Sequence, residues 1–249
     1  DGIEVAAVMS QKRDAPDGAT FVGKGMLEEI KDFCVKNACN LLVFDGELTP
    51  TQQRNIERET EISTMDRTLL ILDIFARRAR SSEGRIQTTL ARYRYLLPRL
   101  SGQGASLSRQ GGAGMKRGAG ESKLENDRRH IRRRIHALEE QLSQIEQRRQ
   151  RLRERREKMR IPTVALIGYT NAGKSTLMNR LTEAGVLVQD QLFATLDPTA
   201  RAFCLPDGRK VMLIDTVGLV RRLPHQLIDA FHSTLEEAAR ADVILNICD

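Results

Sequence analysis

The sequence predicts an α/β protein in three parts: a small N-terminal α/β domain, a long antiparallel helical hairpin, and a phosphate-loop domain. Three observations support this. Strand and helix patterns alternate over the first 80 residues, apolar residues recur at helical spacing from residue 124 to residue 159, and residues 168–175 match a phosphate-binding loop. We therefore expect domains at 1–80, 81–160 and 161–249.

The net charge of +7 is unevenly distributed along the chain. Residues 80–160 contain 22 Lys and Arg against 9 Asp and Glu, a balance of +13, whereas residues 1–79 and 161–249 are each net negative. A positive excess confined to one segment predicts an acidic partner such as nucleic acid.

The cysteine content and the hydrophobic runs limit where the protein acts. Its four cysteines are scattered without a paired metal spacing, which favours reduced thiols and a cytoplasmic location. No apolar run approaches the ~20 residues of a membrane span. The chain begins with neither a signal peptide nor an initiator methionine, so we expect it to be a fragment.

In the N-terminal part, strand and helix patterns alternate in the manner of a domain with parallel strand pairing. Thr49 is expected to cap a helix that starts at Pro50, and Asp66 to cap the next helix. The other predicted elements are strands over Ile3–Val8 and Leu41–Phe44 and helices over Met26–Lys36 and Arg67–Arg78.

The helical hairpin begins with a predicted helix over residues 83–97, which Pro98 is expected to end. Seven glycines follow in residues 101–120, the expected tip of the hairpin. This segment is expected to be mobile when free. Its composition fits two interpretations equally well, a flexible linker and a loop that becomes ordered against phosphate.

One long helix is predicted from Glu121 to about Met159, with an apolar repeat of three and four residues. Its seam consists of Leu124, Ile131, Ile135, Leu138, Leu142, Ile145, Leu152 and Met159, interrupted by Arg128, Arg149 and Arg156. The helix over 83–97 is the expected antiparallel partner, which favours a monomer; a dimeric coiled coil is the rival arrangement. Between Arg128 and Arg160, thirteen Lys and Arg face five Asp and Glu, which favours a polyanionic partner.

The phosphate-loop pattern is glycine, four residues, then glycine, lysine and serine, from Gly168 to Ser175. The apolar run at 163–167 reads as a strand before it, and residues 175–181 as a helix after it. Gly168 and Gly173 are expected to let the backbone turn tightly and approach a ligand. Lys174 is expected to reach the terminal phosphates and the Ser175 hydroxyl to bind Mg²⁺.

Two further segments follow in the order that a nucleotide switch requires. Phe193–Thr199 is a predicted loop in which the Thr195 hydroxyl can close the site on Mg²⁺. Val211–Ile214 is a predicted strand that leads into Asp215–Gly218; Asp215 can hold Mg²⁺ through water, and the Gly218 N–H can sense a γ-phosphate. A helix over Leu227–Arg240 and a strand over Val243–Ile247 follow. The domain is expected to be truncated before any base-reading motif.

These motifs together resemble the HflX family, ribosome-associated GTPases of the translation-factor class. The matching stretches are Val43–Pro50, Leu107–Gly112, Gly118–Glu125, Gly168–Ser175, Phe193–Pro198 and Asp215–Gly218. Ala119 and Ser122 depart from the pattern, since proline and threonine are expected there.

The resemblance implies a GTPase domain that hydrolyses GTP with Mg²⁺, and a factor that binds the large ribosomal subunit and its rRNA and splits or rescues stalled ribosomes. The implied catalytic residues are Lys174, Thr195 and Gly218, and the implied Mg²⁺ ligands are Ser175, Thr195 and Asp215. The implied nucleotide-binding residues are Gly168, Tyr169, Thr170, Asn171, Ala172, Gly173, Lys174, Ser175, Thr176, Phe193, Ala194, Thr195, Leu196, Asp197, Asp215, Thr216, Val217 and Gly218.

Leu219 occupies the position where many GTPases have a water-orienting glutamine, as in this family. Leucine cannot orient water, so we expect hydrolysis to be slow alone and faster on the ribosome. Two other functions stay open from the residues alone. One is an RNA-binding module whose nucleotide domain is inactive in this form, and the other is an ATP-using P-loop enzyme.

Overall fold

The computed structural model describes residues 3–79, 81–100, 117–159, 161–182, 199–219, 236 and 238–248. It confirms a mixed α/β fold with a helical middle region. The described helices are α1 Lys24–Lys36, α2 Pro50–Thr60, α3 Arg67–Arg78, α4 Ser82–Arg99, α5 Arg117–Lys158 and α6 Lys174–Thr182. The described strands are β1 Leu41–Phe44, β2 Ser63–Asp66, β3 Thr163–Gly168, β4 Thr199–Cys204, β5 Lys210–Asp215 and β6 Val243–Ile247. The chain forms two compact units, Asp1–Ile74 with Tyr95–Arg129 and Phe75–Arg94 with His130–Asp249.

The first unit is built around a parallel pair of strands, β1 and β2, with Leu41 opposite Ser63 and Phe44 opposite Asp66. Its buried core consists of Leu27, Phe44, Leu48 and Ile56, with Phe21, Val22 and Leu42 packed against it. The Phe21 and Phe44 rings meet edge to face with centroids 5.7 Å apart, a favoured aromatic geometry. Helices α1 and α2 contribute Leu27 and Ile56 to this core.

The predicted first strand at residues 3–8 is wrong. These residues form no strand, and their side chains are exposed, up to 89% for Val8. The parallel partner of β1 is β2 instead, a strand of sequence Ser-Thr-Met-Asp that carries little apolar signal. An alternating apolar run gains stability as a strand only when a neighbour accepts its backbone hydrogen bonds, and residues 3–8 have none among the described residues.

Both predicted helix caps in this unit are confirmed. The Thr49 side chain accepts a hydrogen bond from the Gln52 N–H, and the Gln52 side chain accepts one from the Thr49 N–H, which completes a capping box before Pro50. Asp66 Oδ1 accepts a hydrogen bond from the Leu69 N–H at 2.8 Å and so caps α3.

Asp66 also anchors a buried charge cluster at the carboxyl end of β2. Its Oδ2 accepts from the Leu48 N–H at 3.1 Å and from Arg99 Nη2 at 3.3 Å. Arg99 donates further to the Leu48 carbonyl and to Gln53 Oε1, and its guanidinium lies 3.4 Å from the centroid of the Tyr95 ring. Burial raises the pKa of Tyr95. The cluster thus ties the end of α4 to the strand pair within one unit.

Replacing Arg99 with methionine is expected to lower the free energy of unfolding by about 3 kcal/mol, because it leaves the buried Asp66 carboxylate without its cation. Urea denaturation measures this loss. The matched control is Arg58→Met, since Arg58 is 71% exposed and pairs with Glu59 only at 3.9 Å; it should cost less than about 0.5 kcal/mol. Equal losses for the two variants would show that the Asp66–Arg99 cluster contributes nothing to the free energy of unfolding.

Helices α4 and α5 run antiparallel, as predicted. Glu83, early in α4, pairs with Arg149 at 2.8 Å, whereas Arg94, late in α4, pairs with Glu139 at 2.9 Å. Helix α4 extends to Arg99, so Pro98 lies inside its last turn rather than ending it. Helix α5 starts at Arg117 instead of Glu121, which places the last part of the glycine-rich segment in the helix; residues 101–116 lie outside the described residues.

The buried seam of α5 differs from the predicted one near its carboxyl end. Leu152 and Met159 are 49% and 71% exposed, so their predicted seam positions are wrong. Arg149, which was predicted to interrupt the seam, pairs with Glu83, and the unpredicted Arg153 pairs with Glu236 at 3.2 Å. Among the side chains of α5 that the structure describes, the partly buried ones are Arg128, Ile131, Ile135, Leu138, Leu142, Ile145, Arg149 and Arg153. The seam is therefore apolar at its centre and ionic where it approaches Glu236.

In the second unit, four described strands form a sheet in the order β4–β5–β3–β6. Strands β5 and β6 flank β3 in parallel, and β4 pairs with β5 in the antiparallel direction. Strands β3, β5 and β6 match the predicted runs, whereas β4 was not predicted. Among the described residues, no helix combines the length and the apolar character needed to cross a bilayer.

Candidate nucleotide-binding site

The predicted phosphate loop lies at the carboxyl end of β3, the strand at which the sheet order reverses. Ala165 and Leu166 of β3 are fully buried between the flanking strands β5 and β6. The loop of residues 169–173 leads directly into α6, whose first residue is Lys174. Parallel sheets bind ligands outside the carboxyl ends of strands at such a reversal, and the helix N-terminus there favours an anion.

Two loop residues adopt left-handed backbone conformations, Asn171 with φ +66° and Gly173 with φ +84°. A Cβ on Gly173 would meet no atom within 4 Å, so glycine is favoured there by the left-handed backbone of the turn and not by lack of space. Gly168 has a further role that was not predicted. Its φ is +149°, and a Cβ there would collide with the Ile247 carbonyl of β6. Gly168 therefore allows the close approach of β3 and β6 at the loop.

Gly168→Ala is expected to lower the free energy of unfolding by about 2 kcal/mol, since a Cβ must push the backbone of β6 away. The control is Gly208→Ala in the β4–β5 turn, which has a positive φ of +86° but open space around it. In Gly208→Ala, stability should fall only by the cost of placing alanine at a positive φ, about 1 kcal/mol. Thermal unfolding of both variants gives the comparison, and a larger loss at Gly208 would contradict this role for Gly168.

Lys174 is held over the loop by two backbone carbonyls. Its Nζ donates to Gly168 O at 3.1 Å and to Tyr169 O at 2.6 Å, and the residue is only 5% exposed. Burial lowers the pKa of the Lys174 ammonium, while nearby Asp215 opposes that shift. A buried ammonium beside a helix N-terminus is a preformed partner for a bound anion.

Ser175 and Asp215 form an oxygen pair next to this lysine. The Ser175 hydroxyl lies 2.7 Å from Asp215 Oδ2, and Asp215 is fully buried at the end of β5. Hydroxyl and carboxylate oxygens are ligands that Mg²⁺ accepts, commonly with one or two protein ligands, phosphate oxygens and water completing its shell. The donor set present therefore fits Mg²⁺.

The segment after β5 packs directly on the phosphate loop. A Cβ on Gly218 would lie 2.6 Å from Thr170 Cα and 2.8 Å from Thr170 N. The Thr170 N–H donates to Leu219 O and the Leu219 N–H donates to Gly168 O, both at 3.0 Å. The Thr216 hydroxyl donates to Leu166 O at 2.6 Å, which fixes the segment to β3.

The structure brings together the predicted residues of the loop, of Ser175 and of Asp215–Gly218. Tyr169 and Thr176 are exposed at the loop and on the first turn of α6. Phe193, Ala194, Thr195, Leu196 and Asp197 lie outside the described residues. The backbone role of Leu219 was not predicted, because no side-chain pattern signals a contact made by main-chain groups.

Comparison with known protein families places this geometry in context. Three family models match consecutive parts of the chain: the N-terminal region of GTP-binding GTPases over residues 1–76, their middle region over 78–156, and the 50S ribosome-binding GTPase over 163–249. A GTPase HflX from Caldanaerobacter subterraneus subsp. tengcongensis is 54% identical over the whole of this chain. This chain belongs to the HflX family.

Other relatives agree with this assignment. GTPase HflX from Escherichia coli K12 is 47% identical over all of this chain. The chain spans 58% of the length of each of these two relatives. Among solved structures, SsGBP in complex with GDP is 29% identical with a TM-score of 0.53, and the match covers 95% of this chain and 62% of that one.

Proposed function

We propose that this HflX-family chain is part of a cytoplasmic factor that hydrolyses GTP, binds the large ribosomal subunit through rRNA, and splits or rescues stalled ribosomes. The observation that carries the proposal is the convergence of Lys174, the Ser175–Asp215 pair and Gly218 on one loop at the carboxyl end of β3. The relatives' name, GTPase HflX, and the 50S ribosome-binding GTPase model support the choice of nucleotide and partner.

In this proposal, Lys174 holds the charge of the terminal phosphates. Its buried ammonium already lies on the loop, so little rearrangement is needed when GTP binds. Backbone N–H groups of the loop and of the first turn of α6 add to the positive potential. Together they neutralise the charge that develops on the phosphoryl group during transfer.

Ser175 and Asp215 would hold Mg²⁺, Ser175 through its hydroxyl and Asp215 through water. The ion, when bound, neutralises charge on the phosphate oxygens. The short Ser175–Asp215 hydrogen bond keeps both oxygen donors on the side of the loop that faces β5. Thr195 would complete the ligand set from the segment between α6 and β4.

Gly218 would donate its N–H to the γ-phosphate, which distinguishes GTP from GDP. Its Cα lies against Thr170, so only glycine fits between the phosphate loop and the following segment. The paired hydrogen bonds of Leu219 with Gly168 and Thr170 hold this segment against the loop. A γ-phosphate that binds Gly218 and Thr195 would link both segments to the nucleotide, and hydrolysis would break that link.

The exposed surface of α5 offers a contact surface for rRNA. It carries exposed arginines along much of a helix that is roughly 63 Å long. These are Arg129, Arg132, Arg133, Arg134, Arg148, Arg151 and Arg155. Arginine pairs well with phosphate, and a dense positive face of this kind binds RNA with strong salt dependence.

Hydrolysis by the isolated protein is expected to be slow, at most on the order of 10⁻³ s⁻¹, the scale of GTPases without an activator. The reason is Leu219, whose apolar side chain cannot orient the attacking water. Release of phosphate with and without large ribosomal subunits tests this, with Lys174→Ala as the background control. A rise of at least about tenfold with subunits is expected; fast turnover by the isolated protein would contradict the proposal.

A further inference from the structure

Two cysteines meet where helix α1 ends. Asn37 caps the helix, Ala38 adopts a left-handed conformation with φ +50°, and the Cys39 N–H donates to the Cys34 carbonyl at 2.9 Å. This hydrogen bond spans five residues and, with the left-handed residue before Cys39, forms a Schellman ending. That motif commonly brings the side chains at its two outer positions into contact, and here both of them are thiols.

The surroundings of the two thiols differ. Cys34 is buried on the core side of α1, whereas Cys39 is partly exposed. Burial, aided by a hydrogen bond with the Cys39 thiol, raises the pKa of the Cys34 thiol to about 11. The Schellman ending therefore sets both thiols at the same end of α1, and Cys39 is the one that solvent can reach.

The backbone geometry permits a covalent bond between them. Standard bond lengths and a 2.9 Å hydrogen bond from Cys39 N to Cys34 O limit the two Cα atoms to a separation of about 7 Å or less. Cysteines with Cα atoms farther apart than about 7 Å cannot be bridged without moving the backbone. The two residues therefore satisfy this condition in the folded chain.

We propose that Cys34 and Cys39 form a reversible disulfide, a modification site that reacts with low-molecular-weight disulfides such as oxidised glutathione. The two thiols are reduced under ordinary cytoplasmic conditions. When the ratio of oxidised to reduced glutathione rises, the Cys34–Cys39 disulfide links the end of α1 to the segment that enters β1 at Leu41.

The exchange proceeds in two balanced steps. The Cys39 thiolate attacks one sulfur of oxidised glutathione, forms a mixed disulfide and releases one glutathione thiolate. The Cys34 thiolate then attacks the Cys39 sulfur and releases the second glutathione. The protein loses two electrons and two protons, and oxidised glutathione becomes two molecules of reduced glutathione. Cys39 reacts first because it is the more accessible of the two thiols.

Mass spectrometry of the folded protein tests the proposal directly. The protein is incubated at a series of ratios of oxidised to reduced glutathione, then blocked with N-ethylmaleimide and digested with trypsin without reduction. Trypsin cleaves after Lys36, between the two cysteines, so the disulfide joins peptide 32–36 to peptide 37–54. We expect this linked pair to accumulate as the ratio rises and to vanish after reduction.

The other cysteines and one variant serve as controls. Cys204 and Cys248 are exposed and are not expected to link with each other, only to take up glutathione or the blocking reagent. In Cys34→Ser, Cys39 should be trapped as its mixed disulfide with glutathione. The proposal is overturned if wild-type Cys39 stays in the mixed disulfide, or if both thiols stay blocked by N-ethylmaleimide at every ratio. The wild-type result decides even if the variant folds poorly.

Discussion

Replacing Lys174 with alanine is expected to lower the affinity for GTP about a thousandfold, equivalent to about 4 kcal/mol. The ammonium is the buried cation on the phosphate loop, and its hydrogen bonds with the Gly168 and Tyr169 carbonyls hold it where terminal phosphates would lie. Without it, the anion would face the loop dipoles alone. Titration with a fluorescent GTP analogue measures the change.

Two controls separate this binding loss from unfolding. Lys210→Ala removes an exposed lysine from β5 in the same unit and should leave affinity unchanged. Burial disfavours the charged form of Lys174 and lowers its pKa. Removal of this charge should therefore not lower the unfolding temperature of the nucleotide-free Lys174→Ala protein below that of wild type. Unchanged GTP affinity in Lys174→Ala would refute the assignment of the site.

Gly218→Ala is expected to reduce the rate of GTP hydrolysis on ribosomal subunits by a factor of about 10² to 10³. A Cβ at this position would lie 2.6 Å from Thr170 Cα, so residue 218 must move away from the phosphate loop. The movement takes its N–H away from the γ-phosphate and breaks the hydrogen bonds between Leu219 and the loop. Single-turnover hydrolysis with excess protein measures the effect.

GDP binding provides the internal control for Gly218→Ala. GDP lacks the γ-phosphate, so its affinity should stay within about threefold of wild type, whereas the preference for a non-hydrolysable GTP analogue over GDP should disappear. A variant that hydrolyses GTP at the wild-type rate would show that the contact with Thr170 has no part in the reaction.

The parts of the fold that the sequence predicted correctly have local causes. A capping box at Thr49, a carboxylate cap at Asp66 and a phosphate loop between strand and helix each depend on a few neighbouring residues. Residues that are close along the chain satisfy these requirements whatever the rest of the protein does. Their structure could therefore be inferred without knowing which elements pack together.

The errors arose where a distant partner decides the outcome. Residues 3–8 have strand-like composition, but none of the described strands pairs with them. The polar β2, in contrast, becomes a strand because β1 lies beside it. In α5, Leu152 fits the apolar repeat, yet Arg153 occupies the seam because Glu236 faces it. Periodicity cannot reveal such a charge partner across space.

Within the candidate site, side-chain chemistry was predictable and backbone contacts were not. Lys174, Ser175 and Asp215 were identified from their residue types and spacing, and the structure brings them together. Gly168 is needed because its Cα lies against the Ile247 carbonyl, and Leu219 contacts the loop through main-chain hydrogen bonds. Main-chain groups are the same in every residue, so sequence carries no direct signal for them.

Pelleting with purified large ribosomal subunits tests the central claim most directly. The protein is centrifuged with subunits in the presence of a non-hydrolysable GTP analogue, GDP, or the corresponding ATP analogue. A GTP-switched ribosome factor should pellet with the GTP analogue and remain largely in the supernatant with GDP and with the ATP analogue. Equal pelleting under all three conditions would contradict this account, and would mean that the arginine-rich helix α5 binds RNA independently of the nucleotide site.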